Sequence, residues 1–236
     1  MTSPVRETFE VQGRPAFLIP AQRDGGEIRR PWVWYAPTLP EYPAAEEAWM
    51  FERFAEAGMA IAGIDVGESY GNPVGKAHFA LLYAELVVKR RMSTTPCLLA
   101  RSRGGLMHYA WATECPELVA CIAGIYPVCD ITSYPGISVA CKAYGLSEEV
   151  FTDRLHEYNP IERVRRLAQE EVEICHIHGD QDEVVPLEEN SAELARRYRA
   201  LGGKMDLEVV EGRGHDLWEG WFRSQNLVDF ILARAR

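Results

Sequence analysis

The sequence lacks the long apolar runs that mark leader peptides and membrane spans. Its N-terminus, MTSPVRETFEVQGRPAF, is interrupted by charged residues, whereas a secretory signal contains an unbroken apolar segment of about 7 to 15 residues. No other stretch approaches the roughly 20 apolar residues with which a helix crosses a bilayer. We therefore expect a cytoplasmic protein without a membrane partner.

Basic surfaces are equally scarce. The chain carries 25 Lys and Arg against 35 Asp and Glu, for a net charge of −10. Its basic residues gather only in short clusters, as at 89–91 and 163–166. Nucleic-acid-binding proteins present extended basic surfaces to the phosphate backbone, so we expect no nucleic-acid partner.

Metal-binding and redox motifs are also missing. The six cysteines form no CxxC pair, and no HExxH or HxxEH motif occurs. Cys97, Cys121 and Cys175 lie in apolar runs typical of buried strands, where free cysteine is common. The sequence leaves open whether Cys129 and Cys141 form a disulfide. We expect no metal and no other cofactor.

What the sequence does contain is an alternation of short β-rich runs and amphipathic helical runs. This alternation is typical of an α/β fold in which helices cover both faces of a mostly parallel sheet. We expect a doubly wound sheet of about eight strands, with an antiparallel start followed by six parallel strands. The strand segments are 7–12, 15–19, 32–36, 59–64, 97–100, 120–126, 173–178 and 206–210, and the helical segments include 44–57, 74–88, 187–201 and 218–233.

The chain length of 236 residues suits one domain of this kind. Residues 128–170 separate two predicted strands and exceed the length of an ordinary connection between a strand and a helix. We therefore expect a single domain over residues 1–236, with a short helical cap inserted at about 128–170.

The segment CLLARSRGG joins a predicted buried strand to a helix. It places small residues, Ala100 and Gly104, two positions before and after Ser102, and a sharp strand-to-helix turn requires this because larger side chains would collide there. Such a turn exposes the serine hydroxyl and directs the amide of Arg103 towards the position of an oxyanion. Ser102 is the candidate nucleophile, and an N-capping serine at an ordinary turn is the alternative.

A serine nucleophile needs an imidazole base, which in turn needs a carboxylate to orient it. In the loop GDQDEVVP we favour Asp182 over Asp180, because Asp180 directly follows a glycine and suits the turn itself. In GRGHDLW, His215 lies between a glycine-rich turn and a predicted helix, whereas the other histidines fall within predicted strands or helices. The order Ser102, Asp182, His215 predicts a catalytic triad.

Residues near the ends of predicted strands or in the adjoining loops are candidates for substrate binding, because this edge borders the site in open sheets. These candidates are Trp34, Glu68, Tyr70, Arg101 and Trp218. Core packing is the alternative for the two tryptophans, turn formation for Glu68 and Tyr70, and simple solvation or ion pairing for the arginine.

At these residues the chain resembles the α/β-hydrolase superfamily. From Asn159-Pro160 through IHGDQDEVVP to GRGHDLW it is similar to the dienelactone hydrolase and prolyl-oligopeptidase-like branch, and the resemblance extends over roughly residues 32–231. It implies that the amide of Tyr35 or Ala36 supplies the second oxyanion donor. The usual His-Gly pair is missing there. Ala100, two residues before the nucleophile, stands where the superfamily most often has glycine.

We expect the triad to cleave a carboxylic ester of a small-molecule substrate through an acyl-enzyme. Peptide or lactone hydrolysis on the same triad is the alternative, and the ester is preferred because the propeller-type domain of the related peptidases is absent from this sequence. The non-enzymatic alternative is a binding module with a vestigial triad. A homo-oligomer is possible, but the sequence does not determine the oligomeric state. It also does not identify the acyl and alcohol groups of the substrate.

Overall fold

The computed structural model describes residues 6–22 and 29–235. Residues 1–5, 23–28 and 236 of the predicted domain lie outside the described residues. Within these ranges eight strands form one sheet in the order β1-β2-β4-β3-β5-β6-β7-β8. The strands are β1 (Glu7–Val11), β2 (Arg14–Ile19), β3 (Trp32–Ala36), β4 (Ala60–Ile64), β5 (Cys97–Arg101), β6 (Cys121–Ile125), β7 (Glu173–Gly179) and β8 (Met205–Val210). From β3 to β8 the strands are parallel, and the β1–β2 hairpin joins β4 antiparallel. The predicted α/β class is confirmed.

Helices cover both faces of this sheet. The α-helices of the described residues are α1 (Ala48–Glu56), α2 (Pro73–Ala84), α3 (Gly104–Ala112), α4 (Ile137–Tyr144), α5 (Glu148–Asp153), α6 (Leu155–Tyr158), α7 (Arg165–Gln169), α8 (Ser191–Ala200), α9 (Glu219–Phe222) and α10 (Gln225–Leu232). Short helical turns of other types cover Glu85–Lys89, Pro116–Leu118, Pro160–Glu162 and Leu187–Glu189. Helices α2, α3 and α8 pack on one face, and α1 and α10 pack on the other. No helix of the described ranges is long and apolar enough to span a bilayer.

Two helical segments are divided differently from the sequence prediction, and two others, 44–57 and 187–201, begin four residues later as α1 and α8. The segment 218–233 is two helices rather than one, because the side chain of Ser224 accepts a hydrogen bond from the amide of Leu227 and starts α10 as an N-cap. The segment 74–88 begins as α2, capped by Asn72, and ends as a π-helical turn over Glu85–Lys89. Both differences arise from local capping and turn geometry, which hydrophobic periodicity does not report.

Strand β3 illustrates how the two cores form. Successive side chains of a strand point to opposite faces of the sheet, so Trp34 packs with Phe79 and Trp111 on one face while Tyr35 packs with Phe51 on the other. Every residue of β3 is buried. Burial of each large side chain contributes about 1.5 to 3 kcal/mol, and it fixes β3 between the two cores.

Between β6 and β7 the chain forms helices α4 to α7, as the predicted cap requires. Phe151 is buried in a separate apolar cluster that also contains Leu106 of α3 and Val185 of the loop after β7. The insertion therefore packs directly on the elements that carry the candidate site. That the whole chain is one domain stays a prediction.

All six cysteines are free. Cys129 is buried in the large core cluster and Cys141 in the cluster of the insertion. The disulfide left open by the sequence is therefore not formed in this structure.

Candidate active site

Ser102 occupies a strained turn at the end of β5. Its φ of +49° lies in the left-handed region, which side-chain-bearing residues rarely adopt. A Cβ atom at Gly104 would lie 2.1 Å from the carbonyl oxygen of Ala36, so only glycine allows α3 to approach β3 this closely. Arg103, not Ser102, is the N-cap of α3. The serine side chain is therefore left free to point into the site, and the capping alternative is wrong.

The loop after β8 brings His215 to this serine. A Cβ atom at Gly179 would lie 2.1 Å from the carbonyl oxygen of Arg213, so glycine at the end of β7 allows the two loops to cross closely. His215 Nε2 lies 2.9 Å from Ser102 Oγ. The ring of Tyr126 packs against the imidazole with 4.3 Å between ring centroids, which limits its rotation.

Asp182 completes the line on the far side of the imidazole. Its Oδ2 lies 2.7 Å from His215 Nδ1, and its Oδ1 accepts hydrogen bonds from the amides of Val184 and Val185 at 3.0 and 2.8 Å. Burial by itself would raise the pKa of this carboxyl. Hydrogen bonds from His178, His215 and Val185 outweigh burial and hold the pKa well below its usual range. Asp182 is therefore anionic at neutral pH.

The competing aspartate and histidines lie elsewhere. Asp180 is exposed and accepts a hydrogen bond from the amide of Gly212 at 2.7 Å, so it joins two loops and does not contact the imidazole of His215. The remaining histidines lie on α2, α3, α6 and β7, at positions 78, 108, 156, 176 and 178. The structure thus brings together the three residues of the predicted triad.

The expected oxyanion donors are placed unequally. The amide of Arg103 lies at the N-terminal end of α3, where helix amides have no acceptor within the helix. Tyr35 and Ala36 lie inside β3, paired with Leu99 and Ala100 of β5, and neither lines the pocket. The next residue is proline, which has no amide hydrogen. Donation by Tyr35 or Ala36 stays a prediction.

A pocket of about 240 Å³ opens above Ser102. Its lining residues combine aromatic, aliphatic and charged side chains: Pro37, Tyr42, Arg101, Ser102, Arg103, Tyr126, Tyr134, Val184, His215, Asp216 and Leu217. A larger groove of about 460 Å³ lies between β2 and α1 and contains none of the triad residues. The pocket above Ser102 is therefore the candidate substrate site.

Neither Trp34 nor Trp218 lines this pocket. The side chain of Trp34 is completely buried against Trp32, Phe79 and Trp111 on the opposite side of β3 from Tyr35. Trp218 packs edge-on against Trp221, and its neighbour Leu217 faces the pocket instead. The expected substrate contact of Trp34 is therefore wrong, because its side chain is buried in the core, whereas that of Trp218 stays a prediction.

Glu68 and Tyr70 lie beside the pocket without lining it. Glu68 forms an ion pair with Arg103 at 2.9 Å, and partial burial raises the pKa of Glu68 although Arg103 opposes this. The ring of Tyr70 packs edge-on against Tyr134, which does line the pocket. Both residues can therefore influence a substrate through the side chain that each one contacts.

Arg101 lines the pocket, but its guanidinium is already paired with a buried acid. Its Nη1 donates to Glu47 Oε1 at 2.6 Å, and Tyr35 also donates to this oxygen, at 2.7 Å. Burial favours a lower pKa for Arg101, but neighbouring Tyr126 and Glu47 raise the pKa above its ordinary value. For the neighbouring Tyr126 hydroxyl, burial raises the pKa to about 12. This cluster supports the pocket floor.

Glu47 was not among the predicted site residues. The available signal was its position three and four residues before Met50 and Phe51, which places an acid on the apolar stripe of a helix. Such an acid is costly to bury without a partner, so its presence implies a buried cation. Tyr42, Val184 and Leu217 carried no comparable signal, because loop conformation alone brings them to the pocket.

The fold and the Ser102, His215 and Asp182 constellation define the α/β-hydrolase class. Residues 93–233, more than half of the chain, match the prolyl oligopeptidase family. The chain belongs to this family of serine hydrolases. No match is found among curated proteins.

Solved structures with the same fold include three named peptidases. They are dipeptidyl peptidase 4 from Porphyromonas gingivalis (TM-score 0.78, 12% identity, 99% of this chain and 36% of that chain), acylaminoacyl peptidase from Pyrococcus horikoshii (0.77, 14%, 98% and 41%) and a puromycin-hydrolyzing peptidase from Mycobacterium tuberculosis (0.73, 17%, 98% and 39%). The chain thus spans well under half the length of these proteins. At these identities the likeness shows the fold alone.

Proposed function

We propose that this chain is a serine hydrolase that forms an acyl-enzyme on Ser102. The supporting observation is the continuous line of hydrogen bonds from Ser102 Oγ through His215 to Asp182, with contacts of 2.9 and 2.7 Å. A serine hydroxyl becomes nucleophilic when an oriented imidazole removes its proton. The pocket above Ser102 leaves room for a carbonyl group at the nucleophile.

In the first half-reaction Ser102 Oγ attacks the substrate carbonyl carbon while His215 Nε2 accepts the hydroxyl proton. Asp182 stabilises the resulting imidazolium through His215 Nδ1. The tetrahedral intermediate then collapses as His215 donates the proton to the leaving group. In the second half-reaction water attacks the acyl-enzyme with His215 again as base, which restores the serine hydroxyl.

Negative charge on the carbonyl oxygen is greatest in the tetrahedral intermediate, so donors at that position lower the barrier. The amide of Arg103 is the proposed first donor, because it begins α3 directly after the nucleophile. The partial positive charge at the helix N-terminus adds to its effect. Loss of one such donor typically costs about 100- to 1,000-fold in kcat.

We infer that the scissile bond is a peptide or related acyl amide rather than the ester expected from the sequence. The prolyl oligopeptidase family match supports an amide substrate, and so do the names of the peptidases with the same fold. An amine leaving group requires protonation. His215 is placed to provide it, because its Nε2 faces Ser102 within the pocket.

The pocket volume limits the group that lies next to the scissile bond. Pockets for drug-sized ligands occupy roughly 300 to 1,000 Å³, and the volume above Ser102 is about 240 Å³. Tyr42, Tyr134 and Leu217 give this space an apolar wall. We therefore expect one aminoacyl or short acyl side chain to fill it.

A pair of substrates with the same acyl group, one a p-nitroanilide and the other a p-nitrophenyl ester, tests both parts of the proposal. We expect turnover of both by the wild type and loss of both in Ser102→Ala. Ser138→Ala, at an exposed serine on α4, is the matched control. Turnover that persists in Ser102→Ala would reject the nucleophile, whereas ester turnover without any anilide turnover would reject the amide substrate.

A further inference from the structure

A line of buried polar side chains continues from the triad into the core. His178 Nδ1 lies 2.8 Å from Ser191 Oγ, and the same oxygen lies 2.9 Å from His176 Nδ1. His176 Nε2 in turn lies 2.8 Å from the hydroxyl of Tyr109. All four residues are fully buried. Buried polar groups are costly unless each donor meets an acceptor, so the order of donors along this line is constrained.

The carbonyl of Val185 fixes that order. His178 Nε2 lies 2.8 Å from this carbonyl oxygen, which can only accept. His178 Nε2 therefore carries a proton, and we assign the tautomer with this single proton, in which Nδ1 accepts from Ser191. The serine hydroxyl has then used its proton and accepts from His176 Nδ1, which leaves His176 Nε2 to accept from Tyr109. Burial lowers the pKa of His176 to about 3, consistent with a neutral ring.

The donor end of this line meets the catalytic acid in two ways. His178 Nε2 lies 3.4 Å from Asp182 Oδ2, the oxygen that also contacts His215. In addition, His178 holds the carbonyl of Val185, whose own amide donates to Asp182 Oδ1 at 2.8 Å. His178 is therefore linked to both oxygens of the carboxylate, directly to Oδ2 and through Val185 to Oδ1.

We propose that His178 is a positioning residue that fixes the Asp182 carboxylate for His215, and that Ser191, His176 and Tyr109 fix the tautomer of His178. This inference rests on the proposed function, because its consequence is the orientation of the base. His178 touches neither Ser102 nor the pocket. Its effect must therefore appear in the properties of His215 and not in substrate binding.

Loss of the His178 donor concentrates negative charge on the carboxylate oxygen next to His215, which favours the imidazolium. The acidic limb of kcat/KM should then move upwards, by about 0.5 to 1 pH unit for one lost hydrogen bond. The other titratable or charged groups near this pair include Tyr126 after β6, Arg101 and Arg103 on either side of Ser102, and Arg213 and Asp216 in the loop of the histidine. None of them changes in the variants below.

Two substitutions of one residue separate positioning from simple packing. Asn in His178→Asn places its amide near the Nδ1 position and loses the donor towards Val185 and Asp182, whereas Gln in His178→Gln reaches the Nε2 position and keeps an N–H donor. We expect His178→Asn to lower kcat about tenfold, the value of one hydrogen bond in the transition state, with KM unchanged and the acidic limb moved upwards. We expect His178→Gln to recover most of both properties.

A folded His178→Asn with wild-type kcat and an unmoved acidic limb would overturn the inference, as would equal losses in the two variants. If His178→Asn does not fold, Ser191→Ala tests the same line at its next member, with Ser191→Thr returning the hydroxyl. We expect a smaller loss of kcat in the alanine variant and recovery in the threonine variant. Wild-type kcat in a folded Ser191→Ala would contradict the assigned order of donors.

The proton on His215 Nδ1 provides a readout that does not depend on turnover. Its downfield NMR resonance reports the hydrogen bond to Asp182, and we expect it to shift and broaden in His178→Asn and to return in His178→Gln. If the wild type shows this resonance but does not react with a serine-directed fluorophosphonate, the proposed function fails. If the wild type reacts and the resonance is the same in all three proteins, the positioning role alone fails.

Discussion

The two sides of His215 are built differently. On the acid side, Asp182 is buried and its two oxygens meet His215, His178 and two backbone amides. On the serine side, Arg103 and Glu68 form a rim in which the side chain of Glu68 is 45% exposed. The difference separates a fixed part of the site, which orients the base, from a rim that solvent reaches and that can change with the substrate.

Solvent exposure explains why the two sides should respond differently to mutation. Exposed ion pairs contribute about 0 to 1 kcal/mol, and the pair between Glu68 and Arg103 is partly exposed. A buried group that loses its partner costs about 1 to 3 kcal/mol, and more when it is charged. Substitutions on the acid side should therefore have large effects on catalysis or stability, and substitutions on the rim should have small ones.

The largest expected effect comes from Asp182→Asn. The neutral amide no longer stabilises the imidazolium or fixes the tautomer of His215, so kcat should fall by about 10,000-fold. Asp180→Asn is the matched control, because asparagine retains the oxygen that accepts from Gly212. Steady-state kinetics on the amide substrate measure both. A loss of less than tenfold in Asp182→Asn would remove the distinction between the two sides.

The second effect concerns stability at the pocket floor. Glu47→Leu leaves the Arg101 guanidinium buried without its acid, which should cost about 3 to 5 kcal/mol in the free energy of unfolding. Adding Arg101→Met should recover much of this cost, because the uncompensated charge is removed. Denaturant titration of the two single variants and the double variant measures the coupling. Additive effects would show that the pair does not act as a unit.

The third effect is a dependence of stability on pH. Burial lowers the pKa of both His108 and His176 to about 3, so between about pH 6.5 and pH 3 the unfolded chain binds protons that the folded chain does not. The free energy of unfolding should be fully maintained above pH 6.5 and should fall below it by about 1.4 kcal/mol per pH unit for each histidine. Denaturant titration between pH 7 and pH 4.5 measures this slope.

His108→Leu separates the two contributions to that slope. His108 lies in the apolar core against Trp34 and Phe79, whereas His176 belongs to the line of hydrogen bonds behind Asp182. The leucine variant should lose about half of the slope. An unchanged slope in the folded variant would mean that His108 keeps similar protonation in both states.

The smallest effect is expected at the rim. Glu68→Gln removes the charge that pairs with Arg103, so KM should change by about threefold or less with kcat nearly constant. The change should shrink further at high salt, because exposed charges are screened. A kcat loss comparable to that of Asp182→Asn would place Glu68 among the groups that act in the transition state.

Local patterns predicted the parts of the site that depend on local geometry. The elbow follows from small residues around Ser102, and the positions of Asp182 and His215 follow from loops that must lie at the carboxyl edge of a parallel sheet. Which side chains of β3 point towards the pocket side could not be predicted in this way. Both faces of that strand are buried, so alternation did not indicate whether Trp34 or Tyr35 points towards the pocket side.

Long-range partners were also beyond the sequence. The contact between Glu47 and Arg101 joins α1 to β5 across 54 residues, and its chemistry appears only when the sheet order brings the two elements together. The line from His178 to Tyr109 likewise joins three elements. The sequence placed both histidines of this line within a predicted strand, but their hydrogen-bond order required the positions of Ser191 and the Val185 carbonyl.

The most direct test of the account is covalent labelling with a serine-directed fluorophosphonate, followed by mass spectrometry of the digested protein. We expect one adduct per chain, on Ser102, formed more slowly as His215 becomes protonated and nearly absent in a folded His215→Ala variant. A protein that is folded but unlabelled at Ser102, or that is labelled at the same rate without His215, would contradict the claim that these side chains form an active nucleophile.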